Sequence, residues 1–132
     1  MNFESKKITF NKTQEELYNY LANTNNYEDL MPENTEFSEL NNDEGFNFQL
    51  KGMPKVGLKV KEKNSPEYIL FESPNDNFKY EMKIITEKIS DNQSSANIIF
   101  EGKFNPMIEM MAKRPLTNFL ETLANNMESK IN

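Results

Sequence analysis

Side chains able to move protons, attack electrophiles or hold metals are scarce in this chain of 132 residues, which contains no histidine and no cysteine. That removes the group most often used for proton transfer near neutral pH and the commonest transition-metal ligand. It also removes every thiolate nucleophile and every disulfide. Carboxylates remain. Glu15 with Glu16, and Glu36 with Glu39, are close enough in sequence to form an acid–base pair. Their places at a helix start and a strand edge read better as solvated surface charge. The run Asn41-Asn42-Asp43-Glu44 lacks the ligand spacing of a calcium loop and reads as a hydrated turn. No glycine-rich nucleotide loop and no G-x-S-x-G nucleophile elbow occurs. No catalytic residue, metal ligand or cofactor is therefore expected.

The distinctive chemistry is soft and apolar. Met107, Met110 and Met111 cluster near the C-terminus, and Met82 falls on a strand face. Flexible thioethers adapt to irregular apolar volumes, as a ligand cavity requires, and they serve equally well as core filler. Tyr68 and Tyr80 each carry a hydroxyl that could orient the polar head of a ligand. Both would be equally at home on a rim with the hydroxyl in water. The chain balances 15 basic against 21 acidic residues, a net charge of −6. That total argues against a nucleic-acid groove or an anionic membrane surface as the main partner. No apolar run reaches membrane length and no signal-peptide pattern opens the sequence, so a cytoplasmic location is expected.

These residues need elements to hold them. Residues 4–10 alternate, with Ile8 and Phe10 on one side, and predict a short first strand. Thr13 and Glu16 have capping-box spacing and open a helix whose stripe is Leu17, Tyr20 and Leu21. Tyr27, Leu30 and Met31 predict a second short helical turn ending before Pro32. From residue 36 the apolar period drops to two. Strands are predicted at 37–40, 46–50, 56–60, 68–71, 78–84 and 96–104. The turns between them lie at 41–45, 52–54, 64–66, 73–76 and 91–95. Gly57 and Gly102, inside strands, mark bends or close approach. Finally Leu116, Phe119, Leu120, Leu123, Met127 and Ile131 recur at three and four, the stripe of a long amphipathic helix starting near Pro106. Pro115 within it is expected to kink or restart the helix.

A sheet with one apolar face must be covered, and the last helix is the one element long enough to do so. The expected architecture is α+β, one domain over residues 1–132, with a curved antiparallel sheet of about seven strands wrapped around the C-terminal helix. At this level the chain resembles the helix-grip superfamily known as SRPBCC, or START-like. The likeness rests on Ile8-Thr9-Phe10-Asn11-Lys12-Thr13-Gln14-Glu15-Glu16-Leu17-Tyr18. It rests also on the stretch from Asn105-Pro106-Met107 through Arg114-Pro115-Leu116 to Leu123. Small bacterial polyketide cyclase-like and lipid-transport-like members have similar strand-to-helix and last-helix patterns. The resemblance implies the fold and a hydrophobic small molecule (a lipid, quinone or polyketide) held between sheet and helix. It carries over no subfamily's catalytic residues.

The candidate ligand-binding set follows from that expectation. On the sheet it comprises Phe48, Leu50, Leu58, Tyr68, Tyr80, Met82 and Phe100; on the helix, Met107, Met110, Met111, Leu116, Phe119 and Leu120. Two other readings stand beside the carrier. Large side chains such as Phe46, Phe48, Phe78, Phe100 and Phe119 could fill a small barrel, leaving a non-catalytic interaction module. A cyclase- or hydrolase-type enzyme working without His or Cys is the third. The oligomeric state, monomer or homodimer, is open on the sequence.

Overall fold

The computed structural model describes residues 1–40, 44–74 and 78–132. Strands β1 (Asn2–Glu4) and β2 (Ile8–Phe10) precede helix α1 (Gln14–Ala22) and a 3₁₀ helix (Thr24–Leu30). Six further strands follow: β3 (Glu36–Glu39), β4 (Gly45–Gln49), β5 (Val56–Asn64), β6 (Tyr68–Glu72), β7 (Lys79–Ser90) and β8 (Gln93–Lys103). Helix α2 (Pro106–Ile131) closes the order. All strands join one antiparallel sheet in the order β1-β8-β7-β6-β5-β4-β3, with β2 also pairing with β8. The sheet is curved and unclosed, and α2 lies in its grip. This is the helix-grip architecture.

The first strand is split where a single strand is predicted. Ser5 stands at the break: its N–H donates to the Ile98 carbonyl and its hydroxyl accepts from the Ile98 N–H. The side chain thereby replaces a main-chain acceptor, and the pairing with β8 survives the interruption. Helix α1 opens on the expected capping box, with Thr13 and Glu16 bonded reciprocally. The Thr13 donors hold the Glu16 carboxyl below the usual carboxylate range. Leu17 and Leu21 are buried as predicted, but Tyr18 joins them while Tyr20 is half-buried. In the 3₁₀ helix Tyr27 is fully buried, stacks on Phe46 at 4.9 Å and donates its hydroxyl to the Leu21 carbonyl at 2.7 Å.

Several strands outrun their predicted ends. β5 continues to Asn64 and β7 to Ser90, past their predicted ends at 60 and 84, while β8 begins at Gln93, inside the predicted 91–95 turn. The extra residues of β5 and those of β7 from Glu87 on are exposed on both faces, so main-chain pairing rather than burial holds them extended. The predicted turns at 41–45 and 73–76 fall partly on residues outside the described set, including Asp43 and its acidic neighbourhood. Gly45, at the start of β4, has φ +140°, and a Cβ there would lie 2.1 Å from the Leu58 carbonyl oxygen. Only glycine fits. Gly57 and Gly102 are sites of close approach as expected. An added Cβ would meet Pro74 at 2.7 Å and the Phe104 ring at 2.6 Å respectively.

Helix α2 does not restart at Pro115; helical structure runs through it. What changes there is burial. Before Pro115 only Ala112 is buried, whereas Leu116, Phe119, Leu120, Leu123, Ala124, Met127 and Ile131 are buried after it. Packing of the second half carries the helix across the missing hydrogen bond. The N-terminus is capped by Asn105, whose side chain accepts from the Ile108 N–H. Asn126 Nδ2 donates to the Leu30 carbonyl, and Asn132 Nδ2 donates to the Thr9 carbonyl. These bonds tie the far half of α2 to the opposite wall.

Candidate ligand cavity

The core is packed unevenly along α2. Beneath its C-terminal half aromatic rings fill the space: Phe48 stacks on Phe119 at 4.1 Å, and Phe46 contacts Tyr27, Phe37 and Phe71. Beneath its N-terminal half they do not. A cavity of about 380 Å³ opens between the first three turns of α2 and the sheet. Ile108, Met111, Ala112 and Leu116 line it from the helix. The sheet side supplies Asn47, Val56, Gly57, Tyr80 and Phe100, with Phe104 just past β8. The rim is built by residues 52–55, Pro74 and Phe78.

The shortness of β6 positions this opening. β6 ends at Glu72, opposite Lys59 of β5 and Glu81 of β7. Beyond that rung the Ser73 N–H still donates to the Tyr80 carbonyl, and past it no strand among the described residues lies between β5 and β7. The Tyr80 hydroxyl spans the gap, donating to the Gly57 carbonyl at 2.7 Å. Tyr80 also stacks on Phe100 at 5.7 Å and lies tilted against Phe104 at 6.4 Å, so three rings form one aromatic wall. Asn47 and Lys55 add polar groups at the β4–β5 side. Lys55 is the one charged residue among the described lining residues. The site can therefore hold an apolar body against the rings and a polar or anionic end near Lys55.

Burial pushes the Tyr80 phenol up to about 12. Its neutral form is thus favoured by folding. That contribution is fully present below about pH 10, the ordinary tyrosine value, and is lost as pH rises through the folded value. Tyr80→Phe should remove one late-titrating phenol from the alkaline absorbance curve. It should also cost about 0.5–1.5 kcal/mol in urea unfolding at neutral pH, through the lost bond to Gly57.

The thirteen residues predicted to bind ligand separate into four places. Tyr80, Phe100, Met111 and Leu116 line the cavity. Phe48, Leu58, Met82, Phe119 and Leu120 are buried in the packed core, and Leu50 lies half-buried against it. Tyr68 stands on the other face of the sheet, where its hydroxyl donates to Glu62 and Lys83 sits 4.1 Å over its ring. The run Tyr68-Ile69-Leu70-Phe71 has no polar alternation to choose a face. Pairing with β7 chooses it: Ile69 and Phe71 are buried and Tyr68 stays outside. Met107 and Met110 project from α2 into solvent, outside the lining. Sequence reasoning passed over Ile108 and Ala112, although with Leu116 they form an i, i+4, i+8 row legible in the helical period. It passed over Val56 and Phe104 as well, because which strand residues reach a cavity depends on where β6 stops.

Among the described residues no group of three or more acidic side chains is placed to hold a metal. No helix among them is long and apolar enough to cross a membrane.

Comparison with solved structures decides the wider relationship. A START superfamily protein from Mycobacterium smegmatis superposes with a TM-score of 0.65 at 15% identity, covering 98% of this chain and 96% of that one. The chain has the START-like helix-grip fold. Norcoclaurine synthase from Thalictrum flavum, solved in complex with dopamine and hydroxybenzaldehyde, shares the helix-grip fold. Its TM-score is 0.70 at 10% identity over 99% of this chain and 87% of that one. The di-domain ARO/CYC BexL from the BE-7585A biosynthetic pathway matches with a TM-score of 0.64 at 16% identity, over the whole of this chain and 48% of its own. At these identities the likeness is one of fold. No protein-family model matches the sequence, and no curated protein sequence matches it either.

Proposed function

We propose that this helix-grip chain binds, and carries, an apolar small molecule in the cavity between α2 and the sheet. The observation that supports this most is the unfilled volume of about 380 Å³ beside a core otherwise packed with rings. Its size is at the small end of the range for small-molecule sites, about 300–1,000 Å³. The three-ring wall suits a flat ring system or a short chain, and Lys55 with Asn47 suits a carbonyl or carboxylate end. A quinone, a polyketide-like aromatic or a fatty acid has that form. A ring system the size of a large aromatic side chain buries about 200 Å². At about 25 cal/mol per Å² its removal from water contributes roughly 5 kcal/mol before binding costs. Removing ligand should not unfold the protein, because the aromatic core beneath α2's second half stands apart from the cavity.

The test follows from the lining. Trp at Met110 would sit in solvent and Trp at Leu120 would overfill a closed core, so neither probes the cavity. Ala112 is the better position, as a buried residue on the lining. The wild-type chain is expected to take up an environment-sensitive fatty-acid or naphthylamine probe. Ala112→Trp should abolish uptake, with a stability loss below the roughly 1–3 kcal/mol typical of overpacking a filled core. Native mass spectrometry of protein purified from its own cells should show a retained mass that the Trp variant lacks. Failure of every probe, no retained mass and a clearly destabilised Trp variant would together mean that the space closes. The filled interaction module would then stand in the carrier's place.

A further inference from the structure

We infer that the mouth of the cavity is a docking face for a lipid bilayer bearing anionic headgroups, with the first three turns of α2 lying in the interface. Met107, Met110 and Met111 are 71%, 83% and 67% exposed, and Phe78 on the rim is 45% exposed. Unbranched apolar side chains in water at the opening of an apolar cavity have no folding purpose. Met111 and Phe78 also line the cavity, so the exposed patch and the interior are continuous.

Charge says what covers them. Lys113 and Arg114 flank Met110 in a shallow groove on the outer face of α2, and Lys55 lies on the cavity lining. None of these three cations forms an ion pair among the described residues. Glu109, the acidic residue of that groove, is paired with the N-terminal ammonium, so Lys113 and Arg114 leave the groove positive. Apart from Lys55, Glu109, Lys113 and Arg114, the chain holds twelve basic and twenty acidic residues. A net charge of −6 therefore conceals a locally positive stretch of α2 on a negative body. The whole-chain total, which argued against an anionic membrane surface, averages over that local difference. Such a distribution orients the protein at an anionic surface, mouth inward and body held away. An interfacial helix with methionines on one flank and Lys and Arg beside them buries the former among acyl chains and leaves the latter at the headgroups. A bilayer also covers the cavity mouth, letting an apolar molecule enter without crossing water. This inference extends the carrier reading, and vesicle binding by ligand-free protein tests it separately.

The experiment is flotation of the purified chain with vesicles of phosphatidylcholine alone, or of phosphatidylcholine mixed with phosphatidylglycerol. Binding is expected to the mixed vesicles only, and to weaken as salt is raised. Each basic residue near an anionic surface strengthens binding about five-fold. The double variant Lys113→Glu with Arg114→Glu should therefore reduce partitioning at least about ten-fold. Met107→Ser with Met110→Ser should reduce it similarly, through lost apolar insertion. All four positions are exposed or nearly so, and melting temperatures should change little. The control is Lys63→Glu with Lys88→Glu, the same charge change at the opposite ends of β5 and β7, which should leave partitioning within about two-fold. Absence of binding to mixed vesicles overturns the inference, as does an equal loss in the control. Capture of an acidic protein by the patch without vesicle binding also overturns it. A chain that takes up probe but ignores vesicles keeps the carrier reading alone. One that floats even as Ala112→Trp supports the docking face independently of the ligand.

Discussion

Ending the chain at Phe104 is expected to leave no cooperatively folding protein. The segment removed contributes Leu116, Phe119, Leu120, Leu123, Met127 and Ile131 to the buried core. At about 1.5–3 kcal/mol per fully buried large apolar side chain, their loss alone amounts to roughly 9–18 kcal/mol. A domain's whole margin is about 5–15 kcal/mol. The loss also uncovers partners on the sheet, Phe48 among them, which would then face water. The bond from Asn126 to Leu30 goes too, and with it the tie to the 3₁₀ helix. Gel filtration and far-ultraviolet circular dichroism melts of the truncated chain decide the matter. Aggregation or a flat melt is expected, and a monomer with a sigmoidal melt would refute the central role given to α2.

Phe119→Ala is expected to cost about 3–5 kcal/mol, the range for deleting a buried aromatic ring. Phe119 is buried on α2 and stacked on Phe48 at 4.1 Å with an interplanar angle of 10°. The stack adds about 0.5–1.5 kcal/mol beyond the buried area. At about 3–5 °C per kcal/mol for a domain of this length, the melting temperature should fall by roughly 10–20 °C. Met110→Ala, nine residues earlier on the same helix, is the internal comparison. Its side chain is exposed, so its change should stay within about 0.5 kcal/mol. Equal effects at the two positions would show that α2 is not seated as described. Urea unfolding at constant m-value separates these outcomes.

The contrast between those two residues shows how far the sequence could be read. Both fit a helical apolar repeat, and both were reasonable ligand contacts on that basis. Phe119 belongs to a stripe that continues through Leu123, Met127 and Ile131, and a stripe that long needs a partner surface. Met110 belongs to the stretch before Pro115, where Met107, Ile108, Met110 and Met111 wrap around the helix without defining one face. Periodicity cannot choose among residues that surround an axis. The seating of α2 over the sheet chose: Ile108, Met111 and Ala112 line the cavity, and Met107 and Met110 lie outside it. Tyr68 and Tyr80 divide for a related reason. Tyr80 alternates cleanly with charged neighbours and points inward, whereas Tyr68 opens an unbroken apolar run whose face only the pairing with Ile85 decides.

The sequence by itself determined the element order, the capping of α1, the antiparallel meander and the need for a long covering helix. These follow from short-range physics: a period of two or of 3.6, a Thr–Glu capping pair, glycines and prolines at turns. It determined too that no thiol or imidazole chemistry occurs here, because composition alone excludes it. The tertiary structure decided where β6 stops, and hence where β5 and β7 part to leave a cavity bridged by Tyr80 and Gly57. It decided which aromatics fill the barrel and which wall the remaining space. It also set Lys55 on the lining of a cavity that α2 covers with one face while carrying Lys113 and Arg114 on another, although Lys55 and Lys113 are 58 positions apart in the chain. A net charge is a sum over the sequence, but an electrostatic field depends on distances. Distances between residues far apart in sequence are set only when the sheet closes on the helix.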